Sequence, residues 1–312
     1  MHTLTRATGA LALGVSALLG LTACGGSADP LDQDRTNPPS DGTTAPADTG
    51  GSVVVGSADF SESILLAHIY AGALKNAGVN ATTNTGIGSR EIYLRALEDG
   101  SIDVIPEYTG ALGFFYDKEF AETDPDAVYK AVEGLLPDGF TMLEKSEAED
   151  NDSVVVTKAT ADEHGLSAIG DLKDIAAEMT MAAPPEFQER PQGLSGLEST
   201  YGLSFKGFQA LKGTALVQAL VNGQVDAANI FSTDPAIVVN DLVVLEDTES
   251  LFGSQNMVPL VRTEVAEQVR EALDKVSAAL TTEKVTEMLR RTDVDQENPE
   301  TVAGDFLDSA GL

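Results

Sequence analysis

The chain has 312 residues, with 50 aspartates and glutamates against 19 lysines and arginines and a formal net charge of −31 at pH 7. With no basic stripe to neutralise phosphates, nucleic acid is excluded as a partner, while the acidity serves solubility and weakly favours cationic ligands through screened long-range attraction. The single cysteine excludes an internal disulfide, so stability must come from packing.

In chain order, Arg6 supplies a positive start, and Ala10 to Leu21 is an apolar run too short to span a bilayer as a stable helix. Leu21-Thr22-Ala23-Cys24 sets small residues directly before the only cysteine, which is a lipobox. Residues 1–23 are therefore expected to be a signal peptide, with cleavage before Cys24 and a lipid joined to its sulfur. From Gly25 to Gly51 the only large apolar residue is Leu31, so nothing offsets the entropy of ordering. Residues 24–51 are expected to form a disordered tether reaching roughly 30 Å root-mean-square. No later apolar run is long enough for a transmembrane helix, so the expected location is extracytoplasmic, with the lipid alone anchoring the chain to the membrane.

The stretch from Ser52 to Leu312 is ample for two lobes and alternates strand-like with helix-like segments. Val53-Val54-Val55 leads through Gly56 into a helix over Ser61–Asn76, with Ile64, Leu65, Ile69 and Leu74 on its apolar side and a stop at Gly78. Asp59 and Ser61 are both competent N-caps for it. A strand is expected over Val79–Thr85. Gly86-Ile87-Gly88-Ser89 opens a second helix carrying Ile92, Tyr93, Ala96 and Leu97, and the strand Ile102–Ile105 follows. Val154-Val155-Val156 starts a fresh set: a helix near Ala161, strands near Met179 and Val225, and a strand at Leu242-Val243-Val244-Leu245. Val265, Val269, Ala272, Leu273, Val276 and Leu280 mark one face of a C-terminal helix, and Asn298-Pro299 supplies the N-cap and first residue of the last one. This alternation predicts an α/β protein with parallel layers.

One unit occurs twice. Ala96-Leu97-Glu98-Asp99-Gly100-Ser101-Ile102-Asp103-Val104 is answered by Ala219-Leu220-Val221-Asn222-Gly223-Gln224-Val225-Asp226-Ala227. Each reads as a helix end, a glycine stop with φ > 0, and a strand carrying one aspartate. In the same register after each aspartate comes an aromatic, Tyr108 in one copy and Phe231 in the other. Ligands of open α/β lobes meet the carboxyl ends of strands, where these two rings would stand, so two similar lobes across a cleft are expected. Asp103 and Asp226 are expected to hydrogen-bond backbone near the joints, and Phe114-Phe115-Tyr116 to lie in a lobe core. From the residues alone, Tyr108 also fits an ordinary core position and Arg190 a surface ion pair.

Catalytic motifs are missing. His68 and His164 sit in helical segments without neighbouring ligands, so no metal site is expected. In Gly193-Leu194-Ser195-Gly196-Leu197 the second glycine comes one place early for a nucleophile elbow, and Gly86-Ile87-Gly88-Ser89-Arg90-Glu91 lacks the third glycine of a dinucleotide fingerprint. The expectation is a protein that is not an enzyme and uses no cofactor.

Gly56-Ser57-Ala58-Asp59-Phe60-Ser61-Glu62, Thr85-Gly86-Ile87-Gly88-Ser89 and Pro106-Glu107-Tyr108-Thr109-Gly110 occur in that order, followed by Pro185-Glu186-Phe187, Arg190-Pro191, Gly193-Leu194 and Gly196-Leu197. Asp226, Phe231-Ser232-Thr233-Asp234 and Pro259-Leu260-Val261-Arg262 complete the set. Together they resemble the substrate-binding proteins of osmoprotectant ABC importers, which bind glycine betaine, choline, carnitine and related quaternary ammonium solutes. The resemblance covers essentially Val53 to Leu312. It implies a two-lobed, type II Venus-flytrap body with two interlobe crossovers, in which residues 52–152 and 256–312 form lobe 1 and residues 153–255 form lobe 2. It implies as partners a betaine-like small molecule and ABC permease and ATPase subunits, with the binding protein itself a monomer. A binding protein or sensor for a different, bulkier or more polar small molecule is the alternative, with a cleft enzyme ranked last.

The resemblance also implies a site. In the family an aromatic cage, often of four tyrosines, holds the quaternary ammonium, while an arginine and a lysine take the carboxylate. Each ring face attracts a cation by about 0.5–2 kcal/mol. Tyr108 and Phe231 keep cage positions and Arg190 keeps the clamp. Val154 and Gln255 stand where cage tyrosines are expected, Ala58 replaces the lysine of the first loop, and Ala111 follows Tyr-Thr-Gly where the residue is often polar. Losing two faces removes about 1–4 kcal/mol, a tenfold to thousandfold drop in betaine affinity. With Gln255 offering an amide and Val154 and Ala58 leaving room, the expected ligand is larger or more polar than glycine betaine. Val154→Tyr with Gln255→Tyr is then expected to raise glycine betaine affinity by about a decade.

Overall fold

The computed structural model describes residues 51–312; the expected signal peptide, Cys24 and nearly all of the expected tether lie outside the described residues. Strands β1 (Val53–Gly56), β2 (Ala81–Asn84), β3 (Val104–Tyr108) and β4 (Phe140–Met142) come first, then β5 (Val154–Thr157), β6 (Thr180–Ala183), β7 (Gly207–Ala210), β8 (Ala227–Asn229), β9 (Leu242–Leu245) and β10 (Met257–Arg262). They form two five-stranded sheets, ordered β2-β1-β3-β10-β4 and β7-β6-β8-β5-β9. Each sheet carries helices and its own apolar cores, giving the two-lobed α/β architecture of type II periplasmic binding proteins.

The layers are mixed rather than parallel. β2-β1-β3 and β7-β6-β8 run parallel, whereas β10 is antiparallel to β3 and β4, and β5 is antiparallel to β8 and β9. The reversed strands are those on which the chain enters a lobe after crossing from the other. The crossing delivers it at the carboxyl ends of the parallel strands, so it must run back against them: Met257 starts β10 opposite Tyr108 at the end of β3, and Val154 starts β5 opposite Asn229 at the end of β8. Helical returns enforce parallel pairing; these two connections contain none.

Helix α1 (Ser61–Asn76) spans the expected residues, but its cap does not match. Phe60 holds the N-cap position and makes no side-chain cap hydrogen bond. Asp59 is drawn away to Lys212 Nζ, 3.1 Å distant, while Ser63 Oγ accepts the Ala58 N–H at 2.9 Å. The buried face of α1, with Leu65, Leu66, Ile69, Tyr70 and Leu74, packs against the C-terminal helices Ala266–Ala279 and Pro299–Ala310. The last of these is capped by Asn298, whose side chain accepts the Glu300 N–H at 2.8 Å.

The duplicated unit keeps its chemistry in both lobes. Gly100 (φ 78°) and Gly223 (φ 67°) take the left-handed conformation that ends each helix. Asp103 exchanges hydrogen bonds with Val54, giving its N–H to the carbonyl and accepting the Val54 N–H on Oδ2, each at 2.8 Å. Asp226 does the same with Thr180, at 2.9 and 2.7 Å. Phe114 packs edge-on against Phe120 in the lobe core, while Phe115 is exposed.

The two crossovers, residues 143–153 and 246–256, lie against each other: Asp150 donates its N–H to Gln255 O at 3.1 Å, and Glu149 bridges to Asn256. Among the described residues no helix is long and apolar enough to cross a membrane.

Candidate functional site

The carboxyl ends of the parallel strands of both sheets open on one cavity of about 880 Å³ between the lobes. Three of the aromatic rings that line it stand together. Phe60 comes from the loop after β1, Tyr108 ends β3, and Phe231 follows β8 in the second lobe. Phe60 stands between the others, its ring centroid 6.1 Å from Tyr108 and 5.4 Å from Phe231, so it joins the two lobes.

Tyr108 is held from two sides. Its hydroxyl donates to Glu62 Oε1 at 2.6 Å, and its N–H donates to Glu107 Oε2 at 3.0 Å. Glu107 is fully buried and takes a bidentate grip from Arg90, with Nε to Oε1 and Nη2 to Oε2 both at 2.9 Å. The Tyr93 hydroxyl also donates to Glu107 Oε1 at 2.8 Å. Burial works against the Arg90 charge, but Glu107 more than offsets it, and the guanidinium stays protonated above its usual range. Arg90, the first residue of α2 (Arg90–Glu98), therefore holds the wall of the cavity, with its Nε–Nη2 edge committed to Glu107.

Arg190 is different. It borders the cavity from the loop after β6, and its nearest acid is Glu91 of the other lobe, with Nη2 to Oε1 at 3.9 Å. That is an ion-pair contact too long for a hydrogen bond. Among the described residues, none accepts a hydrogen bond from its guanidinium. Lys212 stands on the same side, bridging to Asp59 across the cleft at 3.1 Å and to Glu186 at 3.3 Å. Asp152 also borders the cavity: burial pushes its carboxyl up, opposed by nearby Arg190 and by the Asn229 amide, which donates to it at 3.0 Å.

Of the residues singled out from the sequence, Tyr108, Phe231, Arg190, Ala58, Ala111 and Gln255 border the cavity and Val154 does not. Val154 is fully buried in the second lobe with Val156, Met181 and Phe187, so it makes no room for a ligand. Gln255 engages both ends of its amide with backbone. Its Oε1 accepts the Ala111 N–H at 2.7 Å, and its Nε2 donates to Phe252 O at 2.8 Å. The side chain thus caps the first turn of α3 (Thr109–Tyr116) from the crossover, serving a helix N–H that has no partner within its own helix. Gly110 makes that closeness possible, since a Cβ there would lie 2.5 Å from Ser254 O and 2.9 Å from Gln255 Nε2.

Sequence reasoning passed over Phe60, Glu62 and Lys212. Phe60 follows the carboxyl end of β1, so the rule that picked out Tyr108 and Phe231 applies to it equally. Lys212 carried no signal, because nothing local tells that a lysine in one lobe faces an aspartate in the other. Among the described residues, no cluster of histidine, cysteine, aspartate and glutamate could hold a metal ion.

Two hinged α/β lobes around a cavity lined by aromatic rings and an uncommitted arginine define a solute-binding protein. Residues 51–309 match the family described as the substrate-binding domain of ABC-type glycine betaine transport systems, and the chain belongs to that family. A glycine-betaine-binding protein of Pseudomonas aeruginosa is 29% identical over 268 residues, covering 81% of this chain and 86% of the relative. An ergothioneine transport permease/ergothioneine binding protein of Helicobacter pylori is 24% identical over 83% of this chain, which spans about half (48%) of that relative. Among solved structures, a glycine betaine/carnitine/choline ABC transporter protein shares the fold with a TM-score of 0.68 at 22% identity, covering 83% of this chain and 99% of the other.

Proposed function

We propose that the cleft takes a zwitterionic betaine, its quaternary ammonium against the faces of Phe60, Tyr108 and Phe231 and its carboxylate on Arg190, for delivery to an ABC permease and its ATPase. The observation that carries this reading is the pairing, in one cavity, of three aromatic faces with a guanidinium that has no hydrogen-bonded partner among the described residues. A quaternary ammonium cannot donate a hydrogen bond, so ring faces are its natural contacts, and a planar fork suits a carboxylate. The cavity, at about 880 Å³, leaves room beyond a small betaine, which favours bulkier members of the class. The relative named for ergothioneine fits that direction.

Calorimetry against glycine betaine, choline, carnitine and ergothioneine tests this. The bulkier carboxylates should bind more tightly than choline. Arg190→Ala should cost about 1.5–3 kcal/mol for carboxylate ligands only, the worth of a charged hydrogen bond. Phe60→Ala should weaken every quaternary ligand by about 0.5–2 kcal/mol. Choline binding best, with Arg190→Ala indifferent, refutes the clamp; if none of the four binds, the ligand class is wrong.

We infer further that the mature protein starts at a lipid-modified Cys24 and works at the outer face of the membrane, a reading that rests on the lipobox, and that it is a monomer, which rests on the family resemblance. Cys24→Ser should release the protein into the medium or leave it unprocessed. Recovery of the natural chain as an unlipidated protein starting elsewhere overturns it.

A further inference from the structure

Behind the aromatic rings, three oxygens from three parts of the chain meet. Thr233 Oγ1 lies 2.6 Å from Glu62 Oε2 and 3.0 Å from Asp150 Oδ1. Glu62 belongs to α1 in one lobe, Thr233 to the loop after β8 in the other, and Asp150 to the first crossover. All three are buried, at 3%, 1% and 4% exposure in turn. The neighbouring donors are already assigned: the Tyr108 hydroxyl to Glu62 Oε1, and the Thr233 N–H at 3.1 Å and the Ser232 hydroxyl at 3.4 Å to Asp150 Oδ1.

A threonine hydroxyl owns one proton and can donate it only once. An ionised carboxylate can only accept. With Glu62 and Asp150 both ionised, one of the two contacts to Thr233 would set lone pair against lone pair in a buried site, which is costly. Both contacts become hydrogen bonds if one carboxyl carries a proton and donates to the threonine oxygen, which passes its own proton to the other.

We propose that Glu62, Thr233 and Asp150 share one extra proton that latches the two lobes together, so that closing the cleft takes up a proton. The surroundings agree. Burial pushes both carboxyls up, and for Asp150 the neighbouring Glu62 pushes the same way. The charged groups acting most strongly on the pair are themselves acids: each other, and Asp234, which lies near Asp293. The phenols facing Glu62, Tyr70 and Tyr108, are neutral, both held well above their ordinary range by burial. Two interacting carboxyls titrate as a pair, so the proton is assigned to the pair.

When the lobes part, Glu62 loses Thr233 and meets water, and its carboxyl returns toward its ordinary range. The proton-binding group is thus raised in the closed form relative to the open one. Its contribution to closure is complete below the open-form value and is lost as pH rises through the closed-form value. Between the two, the ratio of closed to open molecules should fall by about tenfold per pH unit.

The test needs no ligand, so it stands or falls apart from the betaine assignment. Spin labels at Lys118→Cys and Glu163→Cys, one exposed site in each lobe, report the interlobe distance in the full chain carrying Cys24→Ser. The otherwise natural chain should shift toward the longer distance as pH rises above the ordinary carboxylate range. Glu62→Gln should stay closed throughout, because its amide donates to Thr233 and its carbonyl accepts from Tyr108. Asp150→Asn removes the second charge while its Oδ1 goes on accepting the Thr233 N–H, so closure should depend less on pH than in the natural chain. If the natural chain shows no pH dependence, if both variants follow its pH course, or if both stand open at every pH, the shared proton is refuted.

Discussion

Glu107→Ala should cost the folded protein about 3–5 kcal/mol, the penalty for breaking a buried ion pair from one side. Arg90 is 6% exposed and Glu107 0%, so a guanidinium left alone there meets neither water nor another acceptor of equal quality. The same change strips the Tyr93 hydroxyl and the Tyr108 N–H of their acceptor. Urea unfolding followed by circular dichroism should show a midpoint lowered at nearly constant slope. The double replacement Arg90→Met with Glu107→Leu should recover part of the loss, because apolar side chains of similar size remove the stranded charge. Recovery stays partial, since the two donors from Tyr93 and Tyr108 remain unpaired. A midpoint unchanged in Glu107→Ala would mean that the pair contributes nothing to the fold.

That ion pair shows where the sequence was readable and where it was not. Periodicity and turn chemistry report local facts, and these were legible: the bounds of α1, the β9 segment Leu242–Leu245, the Asn298-Pro299 start of the last helix, and the matched roles of Asp103 and Asp226. Glu107 sits in a quoted motif, yet nothing nearby in sequence reveals that Arg90 is its partner. The direction of β5 and β10 was hidden for a similar reason, because it follows from the chain's return across the hinge. Strand alternation carries a further limit. It says that Val154 and Val155 point to opposite faces but not which face meets a cleft, and here Val154 turns into one core and Val155 into another. Phe60 was missed although its place after β1 could have revealed it.

Rebuilding an aromatic cage through Val154→Tyr and Gln255→Tyr should lower stability and leave glycine betaine affinity no better, opposite to what position in the family suggests. Val154 has no exposed surface and packs among Val156, Met181, Phe187 and Phe252. A phenol ring there overfills the core, costing about 1–3 kcal/mol, and buries a hydroxyl with no partner at about 1–3 kcal/mol more. Gln255→Tyr removes the acceptor for the Ala111 N–H and the donor for Phe252 O. Leaving both buried groups unsatisfied costs about 1–3 kcal/mol each. The larger ring must also fit where Gly110 already brings α3 against the crossover. Each single variant should unfold at lower urea than the natural chain, and calorimetry should find glycine betaine bound no more tightly. Tighter binding with an unchanged midpoint would instead mean that both side chains reach the cation, and that the crossover can rearrange around Gln255 without loss.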